Sequence, residues 1–223
     1  MSYNKGKFSI TLLFVIISWS AIAQDQFISL KGGLNITKIQ SDGLFSPNDA
    51  RKGFVAGVGY EYHLGTGIFL GADLLYNQRG YTNDAYFMSD NGSSSKEKVT
   101  FEYDYNYISI PLKVGYKSGA TKISAFGNVG LVPSILVYAE ITEPSLGELL
   151  EGKTTTITKK ASRFDLAGMA EIGGILQFSN EIHLFTSVAF QHSLTSITND
   201  NYFSESKARH YGVMLTLGLK KSI

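Results

Sequence analysis

Residues 68–77 read Ile68-Phe69-Leu70-Gly71-Ala72-Asp73-Leu74-Leu75-Tyr76-Asn77. Ile68, Leu70, Ala72, Leu74 and Tyr76 share one parity, and Phe69, Gly71, Asp73, Leu75 and Asn77 the other. A strand sends successive side chains to opposite faces, so the stretch predicts a β-strand with one apolar and one mixed face. A charge and a glycine on the mixed face raise the question that decides the fold, which is whether that face meets water or the inside of a tube.

The same two-residue period recurs on both sides of this stretch. Ile28, Leu30, Leu34 and Ile36 share a parity before it, as do Phe54, Ala56, Val58, Tyr60 and Tyr62. After it come Ile108, Ile110, Leu112, Val114 and Tyr116, then Ile123, Ala125, Val129 and Leu131. Phe164, Leu166, Ala170, Ile172 and Leu176 follow, then Ile182, Leu184, Val188 and Phe190, and last Tyr211, Val213, Leu215, Leu217 and Leu219. Eight alternating segments result, each longer than the usual strand of a soluble protein and long enough to cross a bilayer at a tilt. Short connections near His63–Gly67, Lys117–Thr121 and Ser179–Glu181 alternate with long polar ones near 38–52, 80–99, 139–160 and 195–207. The expected fold is all-β, an eight-stranded antiparallel up-and-down transmembrane β-barrel with short periplasmic turns and long outer loops. Pro111 predicts a local bulge, and Pro133 the point where the fifth strand leaves the membrane.

A soluble barrel of the lipocalin type would alternate too, with its apolar face inward around a ligand. The mixed face argues for the membrane orientation. It is rich in Gly, Ala and Ser and carries few charges, whereas a water-facing exterior would carry many. Small residues and opposed charges suit the narrow interior of eight strands. Tyr60, Tyr62, Tyr76, Tyr116, Phe178 and Tyr211 lie near strand ends on the apolar parity, where interfacial aromatics belong.

The remaining composition narrows the possibilities. A net charge of +1 with no run of like charge points to no nucleic-acid partner. The absence of cysteine excludes disulfides, thiolate metal sites and a cysteine nucleophile. Lys5 and Lys7, an apolar run from Phe8 to Trp19, and Ala21-Ile22-Ala23 before Gln24 have the order of a secretory signal peptide. Residues 1–23 are therefore expected to be removed, leaving 24–223 as one barrel domain destined for the outer membrane, with membrane lipid as its surroundings.

Candidate chemistry is sparse. Lys31, Glu61, Asp73, Lys113, Arg163, Asp165 and Glu171 are expected to form a paired polar network in the lumen. His192 and Ser193 are adjacent, so a regular strand sends them to opposite faces, and they do not make a nucleophile–base pair. His192 and His210 would lie opposite each other across the last hairpin, but no third ligand accompanies them. His63 and His183 fall near turns, as solvated residues. Gly32-Gly33 and Gly173-Gly174 open no helix, so they are not phosphate loops, and no cofactor motif is present. Four readings stay open: a non-enzymatic barrel whose long loops engage a protein partner, a narrow channel or transporter, a soluble ligand-binding barrel, and a rim enzyme acting through His192.

The fragments Leu75-Tyr76-Asn77-Gln78-Arg79-Gly80, Asn106-Tyr107-Ile108-Ser109-Ile110-Pro111-Leu112, Gly127-Asn128-Val129-Gly130 and Phe164-Asp165-Leu166-Ala167-Gly168, in this order, resemble the PorT-like outer-membrane β-barrel family of Bacteroidota. The resemblance covers essentially the whole chain after the signal peptide. It implies an outer-membrane barrel of this size and assigns no functional residue.

Overall fold

The computed structural model describes residues 26–41, 49–86, 98–119, 122–144, 152–198 and 207–223. The expected signal peptide lies outside them. Ten strands are present: β1 (Gln26–Ser41), β2 (Asp49–His63), β3 (Ile68–Tyr86), β4 (Lys98–Ser109), β5 (Leu112–Lys117), β6 (Ile123–Glu143), β7 (Lys153–Thr156), β8 (Phe164–Gln177), β9 (Ile182–Ser193) and β10 (Ala208–Ser222). β4 and β5 are one strand interrupted at Ile110-Pro111, and β7 is a short addition beyond the rim, so eight strands make the wall. Each pairs antiparallel with its neighbours, and β1 pairs with both β2 and β10, which closes the ring. Closure leaves the wall without an edge, the condition for a sheet to cross lipid.

The two faces separate as the alternation predicts. Leu30, Leu74, Val129, Ile172 and Leu217 point out and are each more than half exposed, while the charged residues of the other parity point in and are buried. In water such an exterior would be a large exposed apolar surface; in lipid it is the favourable one. No helix among the described residues is long and apolar enough to cross a membrane. At the β2–β3 turn, Gly65 and Gly67 adopt positive φ values of 73° and 83°, conformations that side chains with a Cβ disfavour.

Several local expectations are corrected. Pro111 is no bulge: Ala72↔Leu112 and Leu75↔Ser109 keep one register across it, so no residue is inserted. It is an interruption, in which Pro111 still accepts a hydrogen bond from Asp73 N. Pro133, expected where the fifth strand leaves the membrane, lies inside the ladder and is followed by outward-facing Ile135 and Val137. It pairs with Leu166, and β6 runs ten residues further to Glu143. Register shifts lie elsewhere, between Ala50 and Val55 on β2 and beyond Pro133, where Asn106↔Tyr138 is followed by Tyr107↔Leu136. Val137 is the extra residue, so Val137 and Tyr138 both face outward and the parity reverses above them.

The predicted loops 38–52, 80–99 and 139–160 are partly strand. β1 reaches Ser41, β3 reaches Tyr86, β4 starts at Lys98 and β6 pairs with β7 over Glu140–Glu143. Polar residues beyond the apolar belt can still extend a ladder, because backbone bonds rather than apolar periodicity hold it there. Residues 42–48, 87–97, 145–151 and 199–206 of these loops lie outside the described residues.

Candidate functional site

The lumen is stacked in layers along the barrel axis. At the turn end, Phe69, Phe126, Ile175 and Phe185 form an apolar cluster. Each phenylalanine lies directly across the ladder from an inward-facing glycine: Phe69↔Gly115, Phe126↔Gly173 and Phe185↔Gly218. A Cβ on any of these glycines would run into the ring. The missing side chains make room for three large rings inside a narrow tube.

Lys220 enters this cluster. Its Nζ lies 4.8, 5.0 and 5.9 Å from the ring centres of Phe185, Phe126 and Phe69. It donates to Glu61 Oε1 and Oε2 at 2.6 and 2.7 Å. His63 Nε2 stands 3.5 Å from the same carboxylate, with its ring between Phe27 and Phe69. An ammonium removed from water keeps its charge at low cost only with such partners, a carboxylate and the negative faces of rings.

The next layer joins six strands, β1, β3, β5, β6, β8 and β9. Asp73 Oδ2 accepts from Lys31 Nζ at 2.7 Å and from Lys113 Nζ at 2.8 Å. Lys113 stands 3.9 Å from Glu171, which also accepts from Asn128 at 2.7 Å and Ser187 at 2.6 Å. An apolar layer follows, of Val55, Leu75, Val132, Ala167, Met169, Ala189 and Met214.

Beyond it Arg79 donates to Asp165 Oδ2 at 2.6 Å and to Ser134 Oγ at 3.0 Å, with its guanidinium 4.7 Å from the ring centre of Tyr107. Ser193 and Thr195 complete the carboxylate at 2.9 and 3.0 Å. Beside Arg79 a cavity of about 10 Å³ is lined by Asn35, Thr37, Gln191, Ser193 and His210, room for about one water. At the loop end, Ile157, Ala161 and Ile197 fold over the opening and pack on Ile39, Tyr81, Tyr105 and Leu136.

Of the seven lumen residues expected from the sequence, Lys31, Glu61, Asp73, Lys113 and Glu171 gather in the turn-end half and Asp165 sits in the loop-end half. Arg163 is a correction: its side chain is exposed. β8 begins one residue later, and the space inside at that height is filled by Ile157, Ala161 and Ile197. The partners that sequence reasoning missed are Arg79 and Lys220. Both lie on the inward parity, Arg79 six residues after Asp73 and Lys220 two after Gly218, so alternation extended past the apolar run would have found them.

The histidines also differ from expectation. His192 pairs with Tyr211 and faces outward beside it, while His210 is buried inward between Tyr105 and Tyr107. They do not meet, and no group of three metal-ligating side chains occurs among the described residues. His183 is buried in the lumen rather than solvated, against Phe27, and His63 is likewise packed. Ser193 and His192 do lie on opposite faces, as strand geometry requires.

The chain resembles several solved barrels. Neisserial surface protein A shares 10% identity at a TM-score of 0.48, over 89% of this chain and 98% of that one. A major outer membrane protein from Thermus thermophilus shares 14% at 0.47, over 89% and 99%. The outer membrane protease OmpT from Escherichia coli shares 9% at 0.44, over 91% and 98%. Likeness at this level speaks to no activity. No curated protein matches. The family model described as outer membrane protein beta-barrel domain matches residues 22–199. With a closed ring, a lipid-facing apolar belt and a paired polar interior, the chain belongs to that outer-membrane β-barrel family.

Proposed function

We propose that this outer-membrane barrel is non-enzymatic, and that it works through its loop end, by binding a protein partner there, rather than by passing solutes. The observation that carries this reading is the filled lumen. Lys113, Asp73, Arg79 and Asp165 have side chains only 1–3% exposed, and their ion-paired layers lie between apolar clusters at both ends. To conduct, such a tube would have to break buried ion pairs, each costing several kcal/mol in order of magnitude. The loop end, by contrast, presents polar backbone and side chains beyond the membrane, where β6 and β7 form a hairpin whose Lys153, Thr154, Thr155 and Thr156 are all exposed. The fragments shared with PorT-like barrels support placing the chain near that group in Bacteroidota, exported by a cleaved leader.

Planar-bilayer recording tests the first half of the proposal. The purified barrel is expected to give no unitary currents, and discrete openings would favour the channel reading. Crosslinking in the native envelope tests the second half. Specific adducts through residues 153–156 are expected, and their absence, with the barrel present and folded, would count against a loop-end partner.

A further inference from the structure

The outer wall carries a second feature, just above the apolar belt. On β1, Lys38 lies between inward-facing Thr37 and Ile39, and on β10, Arg209 lies between inward-facing Ala208 and His210, so both point out. On β2, Lys52 is exposed two residues above lipid-facing Phe54. The register sets them side by side across three adjacent strands: Ile36↔Lys52, Lys38↔Tyr211 and Gln40↔Arg209. Each is a diagonal neighbour of the next, a spacing of about 7–8 Å in antiparallel sheets.

None of the three takes part in an ion pair among the described residues. The neighbouring rim carboxylate, Asp104, is already taken by Arg51. Arg209 Nε is shielded from water yet has no hydrogen-bond partner. Among the described residues these three neighbouring cations have no carboxylate within ion-pair distance, so they repel one another and form a surface that gains from an anion. Directly below them on the same strands lie lipid-facing Ile36, Phe54 and Val213, and Tyr211 stands on the same outward face. An anion placed there has an acyl chain's natural path beneath it.

We infer that Lys38, Lys52 and Arg209 form a binding surface for the phosphate groups of phosphorylated lipid in the outer leaflet. The charges meet the headgroup, and the belt below meets the chains. Cations at this height are the usual means of holding anionic lipid, and each contributes separately.

Native mass spectrometry of the barrel in detergent, with added phosphorylated lipid A, is the test. The wild-type protein is expected to retain the lipid, and K38Q/K52Q/R209Q to retain on the order of tenfold less. A variant with the same charge change at the turn end, K117Q/K122Q/K221Q, is expected to match wild type. Dephosphorylated lipid with the same chains, and inorganic phosphate at equal concentration, are expected to bind the wild-type barrel far more weakly. Equal retention by the rim variant would overturn the proposal. So would an equal loss in the turn-end variant, equal binding of the dephosphorylated lipid, or equal binding of inorganic phosphate. The comparison of lipids on the wild-type barrel stands even if the rim variant folds poorly by circular dichroism.

Discussion

Asp73 holds two lysines on one oxygen, Lys31 and Lys113, from strands on either side of β3's position in the lumen. Removing that charge leaves two buried ammonium groups facing each other. Asp73→Asn is expected to lower unfolding stability by about 3–5 kcal/mol, measured by urea titration in detergent micelles. Asp73→Leu combined with Lys113→Met, which removes a charge of each sign, should recover part of that loss; a double variant no better than the single one would mean the pairing is not what matters. On the outer face the rule inverts. Leu74→Arg places a cation in the apolar belt and is expected to cost about 2–4 kcal/mol when folding is measured in lipid. A cost near zero there would mean that Leu74 does not face lipid.

The phenylalanine–glycine pairs and the Val137 bulge belong to the scale of the element. Gly173→Ala puts a methyl group where the Phe126 ring lies. The ring must shift in a filled layer, for an expected loss of about 1–3 kcal/mol. Combining it with Phe126→Leu should relieve the ring's part of the strain and leave the part that comes from the Thr186 carbonyl oxygen, so a partial recovery in thermal unfolding is expected and no recovery would mean that the ring is not the obstacle. Deleting Val137 removes the one extra residue of β6 and makes Tyr107↔Leu136 and Asn106↔Tyr138 consecutive pairs, so that Tyr138 still faces outward and Ala139 the lumen. The β6–β7 hairpin should then stay paired, with proteolytic protection within 138–143 like that of the wild-type barrel. New cleavage there would show that the bulge itself sets the hairpin.

At the scale of the molecule, the fold rests on closing the ring. β1 and β10 pair over fifteen positions, from Phe27↔Ser222 to Ser41↔Ala208. Truncation before Ala208 exposes two long edges, on β1 and β9, with no partner for either. The truncated chain is expected to lose its compact, heat-modifiable gel mobility in detergent and to aggregate, whereas the full chain shows it. A truncated chain that still migrates as a compact barrel would mean that closure is dispensable. The ion-paired layers are equally a property of the whole, since Lys220 and Glu61 are 159 residues apart in sequence.

Alternation determined that this chain makes eight wall strands and which residues share a face, because parity is a local property of a strand; the small, sparsely charged composition of the mixed face then determined that Lys31, Glu61, Asp73, Lys113, Asp165 and Glu171 point inward and the apolar face meets lipid. Partner choice was beyond its reach. Glu61 joins Lys220 rather than Lys31, Arg79 takes the place expected for Arg163, and His210 turns away from His192, since each depends on register between strands and on what already fills the tube. The rim cations became neighbours for the same reason: no spacing in the sequence brings Lys38, Lys52 and Arg209 together, and only the pairing of β1 with both its neighbours does so.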